Sequence, residues 1–319
     1  MKVLVTGATG FVGSALVARL LVGNLSLRVT VRKEGCQCLD CVDFVQIGDL
    51  NVQTDWSKAL DSVDVVVHLV ARVHVMRDAA DDPLAEFRRV NVEGTLNLAR
   101  QAAAAGVRRF IFLSSIKVNG EFTLEGKPFS ADDKPEPQDP YGISKFEAEQ
   151  GLRKLEVETG MEIVIIRPPL VYGAGVKANF FTLMRLLYKG IPLPLGAVHN
   201  QRSLVALDNL VDLIVTCIDH PVAANQTFLV SDGEDVSTTQ LLQRMGAALG
   251  KPSRLIPLPI GLMTFSANLL GKGDVARRLF GSLQVDSSKA RNLLGWKPVV
   301  SMEVALQKTA RAYIESKGK

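Results

Sequence analysis

Three side chains in the middle of the chain have the types and the spacing that proton transfer needs. Tyr141 and Lys145 lie four residues apart in a predicted helix, so their side chains share one face about one turn apart. Free tyrosine titrates near pH ~10, and lowering its pKa to about 7 requires roughly 4 kcal/mol in favour of the phenolate. Ser115 ends a predicted strand and would hydrogen-bond the reacting oxygen. These three residues are therefore the predicted catalytic group, with Tyr141 as the acid/base.

The first fourteen residues predict a binding site for a dinucleotide. The β-branched run 3–5 is followed by Gly7, Gly10 and Gly13 and then by an apolar helical pattern. Strand, glycine turn and helix in this order begin a dinucleotide-binding βαβ unit, in which glycine lets the backbone approach the pyrophosphate. The helix N-terminus offers N–H groups to the phosphates. With an oxidised nicotinamide bound there, that cation and Lys145 would together lower the pKa of Tyr141 during hydride transfer.

The ends of the next two predicted strands bear on the choice of cofactor. Residues 27–31 form the second predicted strand, and Arg32 follows it with no acidic residue at the tip. An acidic residue there accepts from a free ribose 2′-hydroxyl, whereas arginine suits a 2′-phosphate. Asp49, after the third predicted strand 44–47, can reach the adenine amine. The pattern favours NADP(H), with NAD(H) as the alternative.

The remaining pattern predicts the elements that position these residues. Strands and helices alternate in the first half, and the apolar run 64–70 is typical of a parallel strand buried on both faces. This alternation implies an α/β fold of the Rossmann type, a doubly wound parallel sheet with a smaller, discontinuous C-terminal substrate domain. The predicted helices include 83–105, 140–159 and 179–188, and segments 203–206 and 227–230 are predicted to return to the sheet. The predicted dinucleotide-binding domain consists of residues 1–170 and 203–232. The predicted substrate-binding domain consists of residues 171–202 and 233–319.

The composition narrows the class of protein. Of the 319 residues, 47% are hydrophobic and 22% are charged, so the chain has ample material for a folded core. A net charge of +4 with scattered basic residues is too small to indicate nucleic-acid binding, but it suits a small anionic substrate. The chain begins directly with the nucleotide-binding strand, which leaves no room for a signal peptide and predicts a cytoplasmic protein.

Two other stretches each allow two interpretations. Cys36, Cys38 and Cys41 form a cluster without a fourth ligand nearby in sequence, so a reduced loop is expected rather than a metal site. The apolar stretch 255–270 is interrupted by prolines and is too short to span a bilayer, so no transmembrane segment is expected. It predicts a buried or interfacial helix, with contact to a membrane surface as the alternative.

Matches to a known family extend along nearly the whole chain. They are TGATGFVG at 6–13, GDL at 48–50, HLVA at 68–71, NVEGT at 91–95, Tyr141 with Lys145, RPPLVYG at 167–173, DSSKA at 286–290 and LGW at 294–296. On these matches the chain resembles the extended short-chain dehydrogenase/reductase family, above all its branch of nucleotide-sugar 4-epimerases, 4,6-dehydratases and 4-ketoreductases. The resemblance implies an NAD(P)-dependent enzyme that acts on a UDP-sugar as a homodimer.

The resemblance also implies roles for individual residues. Those expected to contact the cofactor are Gly7, Thr9, Gly10, Phe11, Val12, Gly13, Arg32, Asp49, Leu50, Leu69, Val70, Ala71, Asn91, Tyr141, Lys145 and Pro168. Those expected to contact the substrate are His74, Ser115, Lys117, Asn179, Arg202 and Arg278. In relatives, a residue matching Asn179 and arginines matching Arg202 and the region of Arg277 and Arg278 touch the nucleotide diphosphate, a group that planar arginine suits.

One departure from the family pattern reduces the number of reactions that the chain could catalyse. Related dehydratases carry an Asp-Glu pair directly after the residue that matches Ser115, whereas this chain has Ile116 and Lys117. These side chains cannot replace that pair in eliminating water, so a 4-ketoreductase and a 4-epimerase remain. Arg32 favours the reductase, and the chain most resembles bacterial reductases of UDP-4-keto-6-deoxy-N-acetylglucosamine that serve O-antigen synthesis. A catalytically silent, redox-sensing module on the same fold is disfavoured, since such relatives usually lack the tyrosine or the lysine.

Overall fold

A parallel sheet runs through the larger part of the molecule. The computed structural model describes residues 1–23, 25–32, 42–73, 82–269, 271 and 273–317. Within these residues, seven parallel strands are arranged in the order β3-β2-β1-β4-β5-β6-β9. The strands of this sheet are β1 Lys2–Thr6, β2 Ser26–Val31, β3 Asp43–Gln46, β4 Val65–His68, β5 Arg109–Leu113, β6 Glu162–Arg167 and β9 Thr227–Leu229. The predicted Rossmann-type doubly wound sheet is confirmed.

Helices cover both faces of this sheet, which explains its continuous apolar strands. The helices of the described part of the chain, both on this sheet and elsewhere, are α1 Phe11–Leu21, α2 Ser57–Leu60, α3 Pro83–Arg88, α4 Thr95–Ala104, α5 Pro140–Thr159, α6 Ala178–Tyr188, α7 Leu207–Asp219, α8 Thr238–Ala248, α9 Ile260–Leu269, α10 Gly273–Phe280, α11 Ser288–Leu294 and α12 Met302–Glu315. Leu16 of α1 and Leu210 of α7 pack on one face of the sheet, and Leu98 of α4 and Leu152 of α5 pack on the other. Burial of both faces drives the association of the layers.

The sheet reverses its winding between β1 and β4, which places a crevice at their carboxyl ends. The chain winds outward from β1 through β2 to β3, and then crosses back to β4 on the other side of β1. Ligands of open α/β sheets bind in the crevice outside this point of reversal. The glycine turn follows β1, and Ser115 follows β5 two positions away. The topology therefore brings the predicted cofactor site and the predicted catalytic group to one edge.

The predicted helix 83–105 contains an unpredicted π-helical segment. α3 and α4 are joined without a break by a π-helix, Arg89–Gly94. π-helical turns often occur at functional sites. Gly94 is required here because a Cβ atom at this position would lie 2.6 Å from Cγ of Leu50. The widened turn also places Asn91 in the protein interior, where it is completely buried.

A second, smaller sheet corrects one prediction. Residues 203–206 are strand, as expected, but β8 Arg202–Ala206 pairs with β7 Leu170–Tyr172 and β10 Asp235–Val236 instead of returning to the large sheet. The position beside β6 is taken by β9. An apolar run predicts a buried strand but does not specify its partner, which explains the error. The predicted domain boundaries stay a prediction.

The apolar stretch 255–270 forms a helix that lies on the surface. α9 has partly exposed or exposed residues throughout, and it packs beside α10. The expectation of a buried helix is therefore wrong for α9, and the interfacial interpretation stays open. Among the described helices, none combines the length and the apolar character needed to cross a membrane.

Candidate active site

The glycine turn after β1 is too tight for other residues. Gly7 has a φ of 75°, which disfavours side chains, and its carbonyl accepts from the Gly10 N–H at 2.9 Å. A Cβ atom on Gly13 would lie 2.0 Å from that same carbonyl oxygen. α1 begins directly after Gly10, which has no side chain that could cap the first turn of the helix. The N–H groups of that turn are therefore left without a side-chain cap at the carboxyl edge of the sheet. This cradle fits the pyrophosphate of a dinucleotide.

The predicted apolar contacts of the cofactor lie beside this turn. Leu69 and Val70 follow β4, and their backbone lies 3.2 Å from the position of a Cβ atom on Gly7. The Leu69 N–H donates to the Thr6 carbonyl at 3.3 Å, which extends the β1–β4 pairing into the crevice. Two adjacent strand ends therefore shape the floor of the site.

The predicted catalytic group is brought together at the end of β5. Lys145 is 1% exposed, and its Nζ donates to the Leu113 carbonyl at 2.8 Å and lies 4.3 Å from the centroid of the Phe112 ring. Ser115 begins a short 3₁₀ turn, and its side chain is close enough to the phenol of Tyr141 to favour the ionised form of that phenol. One helix face and one strand end therefore converge on the same point, and the catalytic roles of the three residues stay predictions.

Burial pushes both ionisable groups of the pair towards their neutral forms. Burial, with a smaller contribution from the Asp139 carboxylate, raises the pKa of Tyr141 to about 12, against the hydrogen bond from Ser115. Burial lowers the pKa of Lys145 to about 7, against the attraction of the Glu149 carboxylate. Lys145 alone therefore does not lower the pKa of the phenol in this structure. A further positive charge beside the phenol, as a nicotinamide cation would supply, is needed for the expected shift.

A buried ion pair beneath Lys145 was missed by sequence reasoning. Glu149 lies one turn beyond Lys145 on α5, and its side chain is 4% exposed. Its Oε2 accepts from Nη2 of Arg167 at 2.5 Å, and its Oε1 accepts from Arg167 Nε at 3.0 Å and from the Ser114 hydroxyl at 2.5 Å. Nη1 of Arg167 donates to Asn119 at 3.0 Å. The spacing of four residues from Lys145 was the available signal for Glu149.

A buried histidine behind the crevice was also missed. His68 ends β4 and is completely buried, with Nδ1 2.7 Å from the Thr6 hydroxyl and Nε2 3.0 Å from the Thr95 hydroxyl. Burial, with a smaller contribution from the charge of Lys145, lowers the pKa of His68 to about 3. The neutral ring therefore joins β1, β4 and α4 directly behind the glycine turn.

The side-chain amide of Asn91 hydrogen-bonds other residues of the protein through both its oxygen and its nitrogen. Its Oδ1 accepts from the Arg72 N–H at 2.8 Å, and its Nδ2 donates to the Arg72 carbonyl at 3.0 Å and to the Ser144 hydroxyl at 3.0 Å. Asn91 thereby connects the loop after β4 to the catalytic helix. Its predicted contact with the cofactor stays a prediction.

The adenosine end of the predicted cofactor site is open to solvent. The side chains of Arg32 and Asp49 are 79% and 83% exposed, and Arg32 Nη1 lies 4.0 Å from Asp49 Oδ1. Both residues remain available to a ligand. The proximity of a carboxylate to Arg32 was not foreseen, because the two residues end different strands.

Lys117 is held by two acidic side chains. Its Nζ pairs with the Asp139 carboxylate and lies 3.4 Å from Glu121. Asp139 also caps α5 by accepting from the Gly142 N–H at 2.7 Å. A Cβ atom on Gly142 would lie 2.8 Å from the Lys117 carbonyl, so the two segments are in close contact. The predicted contact of Lys117 with substrate would have to compete with these ion pairs.

A cleft lies beside α9 and α10. It has a volume of about 460 Å³ and is lined by Phe122, Gln138, Thr264, Arg277, Phe280 and Gly281. Gln138, which precedes α5, is the lining residue nearest in sequence to Tyr141. Arg277, rather than the predicted Arg278, lines the cleft.

The predicted substrate arginine Arg202 has a structural partner. Its Nη1 donates to the carbonyls of Arg278 at 2.8 Å and of Gly281 at 3.0 Å, so it holds the end of α10 beside the cleft. Burial lowers the pKa of Arg202.

Two other predicted residues lie near the ends of secondary-structure elements. Asn179 lies exposed in the first turn of α6, and the carbonyl of Pro168, after β6, accepts from the Ile116 N–H at 3.0 Å. The substrate contacts of Arg202 and Asn179 and the cofactor contact of Pro168 stay predictions, and His74, Cys36, Cys38 and Cys41 lie outside the described residues.

The comparisons with known proteins identify the family of the chain. The family model described as NAD dependent epimerase/dehydratase family matches residues 3–231. A UDP-glucose 4-epimerase of Vibrio cholerae is 50% identical over 99% of this chain and 96% of its own length. An N-acetyl-alpha-D-glucosaminyl-diphospho-ditrans,octacis-undecaprenol 4-epimerase of Escherichia coli O157:H7 is 30% identical over 82% of this chain and 77% of its own length.

The similarity extends to solved structures. The crystal structure of UDP-glucuronic acid 4-epimerase from Bacillus cereus in complex with NAD matches with a TM-score of 0.82 at 23% identity, covering 100% of this chain and 98% of that chain. This match supports the fold, and the family model and the sequence relatives confirm the resemblance drawn from the sequence. The chain belongs to the NAD dependent epimerase/dehydratase family of nucleotide-sugar enzymes.

Proposed function

We propose that this enzyme is a 4-epimerase of a UDP-sugar and that it retains NAD through the catalytic cycle. The observation that carries the proposal is the full-length 50% identity to a UDP-glucose 4-epimerase, which favours the epimerase over the reductase preferred from the sequence. Tyr141, Lys145 and Ser115 lie together beside the glycine cradle, as this reaction needs. Ile116 and Lys117 lack the carboxylates that would support dehydration.

The residues of the catalytic group have separate tasks in this reaction. Tyr141 takes the proton of the sugar 4-hydroxyl while the hydride leaves C4, and it returns that proton when hydride is delivered to the opposite face of the keto sugar. Ser115 hydrogen-bonds the same oxygen in both steps. A nicotinamide cofactor held at the glycine cradle would supply the hydride acceptor and then the donor, so the complete reaction would have no net oxidation. Lys145 contributes positive charge near the phenol and is held by the Leu113 carbonyl.

The geometry at Arg32 supports NAD more than NADP(H). A 2′-phosphate at Arg32 would also face the carboxylate of Asp49, and like charges at this distance repel. If Arg32 does bind a 2′-phosphate, Arg32→Ala should weaken NADPH by roughly tenfold or more relative to NADH, because a charge-assisted hydrogen bond is worth about 1.5–3 kcal/mol. Tighter binding of NADH than of NADPH by the wild-type protein, with an equal loss for both cofactors in Arg32→Ala, would support NAD and leave Arg32 as a solvated surface charge.

The cofactor that the purified protein carries distinguishes the two reactions. An epimerase should retain NAD on purification and interconvert UDP-glucose and UDP-galactose, or their N-acetylated forms, without added cofactor. A reductase should be purified empty and should consume one NADPH for each UDP-4-keto-6-deoxy sugar reduced. The second result, with no epimerisation of any UDP-sugar, would overturn the proposal.

A second candidate substrate is a sugar joined through a diphosphate to a polyprenol. The relative from Escherichia coli is named for such a substrate, and the observation that favours it here is the exposed apolar α9 beside the cleft. The two substrates share the diphosphate and differ in the group beyond it. Epimerisation of the polyprenol-linked sugar in detergent micelles, with no turnover of UDP-sugars, would establish the second candidate. The reverse result would exclude it.

The proposal extends to the assembly and the location of the protein. We propose a homodimer in the cytoplasm that supplies a sugar for O-antigen synthesis, as the family resemblance implies. Light scattering on the purified protein measures the oligomeric state, and fractionation of cells measures the location. Loss of O-antigen in a deletion strain, restored by the wild-type gene, would support the biological role.

A further inference from the structure

The surface of α9 is more apolar than a surface helix needs to be. Ile260, Leu262, Phe265 and Leu269 are 38%, 56%, 68% and 79% exposed, and the helix contains no ionisable residue. Scattered single apolar residues are normal on protein surfaces, but contiguous exposed apolar surface indicates an interaction site. The inward side of the helix is packed, since Met263 contacts the buried apolar cluster that includes Phe180 and Leu241.

The segment around this helix carries the excess positive charge of the whole chain. Residues 251–280 contain five of the 37 basic residues and one of the 33 acidic residues, which leaves 32 of each in the rest of the chain. The basic residues are Lys251, Arg254, Lys272, Arg277 and Arg278. Four of them, all except Lys272, are described as exposed. Exposed apolar side chains with neighbouring cations are the combination that binds anionic lipid surfaces.

We propose that α9 docks on an anionic lipid bilayer surface. Leu262, Phe265 and Leu269 would enter the boundary between headgroups and acyl chains, while Lys251 and Arg254 contact lipid phosphates. Thr264 of the same helix lines the cleft, so docking places this cleft near the membrane surface. This binding does not depend on which diphosphate-linked sugar the site accepts.

The charge also argues against a second copy of the chain as the occupant. In a two-fold symmetric dimer the same patch meets itself across the axis. Two segments of net charge +4 would then face one another and repel. A lipid surface of opposite charge avoids that cost.

Sedimentation with vesicles tests the proposal on the full chain, without substrate. Wild-type protein should bind vesicles of phosphatidylglycerol and phosphatidylethanolamine, and it should bind vesicles of phosphatidylcholine alone at least about tenfold more weakly. Leu262→Ser/Phe265→Ser should weaken binding to the anionic vesicles by at least about tenfold. Lys251→Gln/Arg254→Gln should weaken it as well, and raised salt should abolish the contribution of these charges. Val157→Ser, which replaces an 85% exposed apolar residue on α5, should bind as wild type does.

The controls keep failure of the proposal separate from failure of the proposed function. All variants should keep the wild-type circular dichroism spectrum and, in the absence of vesicles, the wild-type rate on soluble substrate. Failure of folded wild-type protein to bind anionic vesicles would overturn the proposal, as would equal binding by wild type and Leu262→Ser/Phe265→Ser. Conversion of a dimer to a monomer by that double substitution, without vesicle binding by the wild type, would assign the surface to a self-contact instead.

Discussion

Two regions of the molecule, which we call the catalytic wall and the substrate wall, are built in opposite ways. The catalytic wall consists of β5, β6 and α5, and its ionisable residues Lys145, Glu149 and Arg167 are almost completely buried and contact one another or the backbone. The substrate wall consists of α10 and the side of α9 that carries Thr264, and Arg277 in this wall is exposed. Arg202 supports the substrate wall through two carbonyl groups at the end of α10. One wall is fixed by a polar network, and the other is held by few contacts.

The difference follows from what each wall has to do. Proton transfer requires the phenol of Tyr141 to be held at a fixed place, and a satisfied buried network provides that rigidity. Recognition of the group beyond the sugar diphosphate needs surface that a ligand or a membrane can reach. Regions with few buried contacts also open locally at lower free energy than the core. Substitutions in the catalytic wall should therefore have larger effects than substitutions in the substrate wall.

The largest effect is expected from Tyr141→Phe. Removal of the phenolic oxygen deletes the acid/base, so turnover should fall by about 10²–10⁴ in line with general acid–base contributions. The content of bound cofactor should stay nearly unchanged, because the glycine cradle and Lys145 are untouched. Measurement of kcat and of cofactor released on denaturation checks both statements, and a variant that keeps most of its rate would exclude Tyr141 from this role.

A large loss of stability is expected from Arg167→Met. The substitution leaves the Glu149 carboxylate buried without its partner, so the free energy of unfolding should fall by about 3–5 kcal/mol. Lys308→Met is the matched control, because it breaks an exposed ion pair with Asp208 at 2.6 Å and should cost no more than about 1 kcal/mol. Denaturant unfolding measures both. Similar losses in the two variants would mean that the buried network does not stabilise the catalytic wall.

A smaller, pH-dependent effect is expected at His68. Its pKa of about 3 in the folded protein lies below the ordinary value of 6.5, so between these values the unfolded chain binds a proton that the folded protein does not. The free energy of unfolding should therefore decrease as the pH falls below about 6.5, by up to about 1.4 kcal/mol per pH unit. His68→Gln should lose this part of the pH dependence, and His199→Gln at an exposed site should retain it. Unfolding curves between pH 7 and about 4 make the comparison, and equal slopes in all three proteins would contradict it.

The smallest effect is expected from Arg202→Met in the substrate wall. Loss of its hydrogen bonds to the carbonyls at the end of α10 should reduce global stability by about 0.5–1.5 kcal/mol and speed hydrogen exchange in α10. If Arg202 also contacts the substrate diphosphate, binding of UDP and of the UDP-sugar should weaken by similar free energies, while binding of uridine changes little. Calorimetry with the three ligands separates the two roles, since purely structural loosening would affect all three alike.

The amino-acid sequence alone determined the elements whose signals are local. The bounds of α5 agree with the prediction because Asp139 caps its first turn, Pro140 occupies its first position and Gly160, with a φ of 74°, ends it. The strand, glycine turn and helix at the N-terminus are equally local. Tyr141 and Lys145 are paired by helical periodicity, so their proximity also followed from sequence.

The contacts between distant segments were decided by the tertiary structure. Glu149 meets Arg167 across a helix and a strand, and His68 lies between hydroxyl groups from two other elements. The π-helical segment around Asn91 likewise depends on the loop and the helix that its amide contacts. No pattern within one segment encodes these pairings, because hydrogen bonds and burial depend on which surfaces the chain brings together.

The sequence also could not choose between the surfaces available to an apolar segment. Residues 203–206 are apolar and became a strand of the smaller sheet, while α9 is apolar and remained on the surface beside the cleft. Hydrophobicity specifies a preference for leaving water, but the area left uncovered after folding is a property of the complete packing arrangement. For that reason the catalytic group could be predicted from the sequence, whereas the exposed face of the substrate wall became visible only in the folded chain.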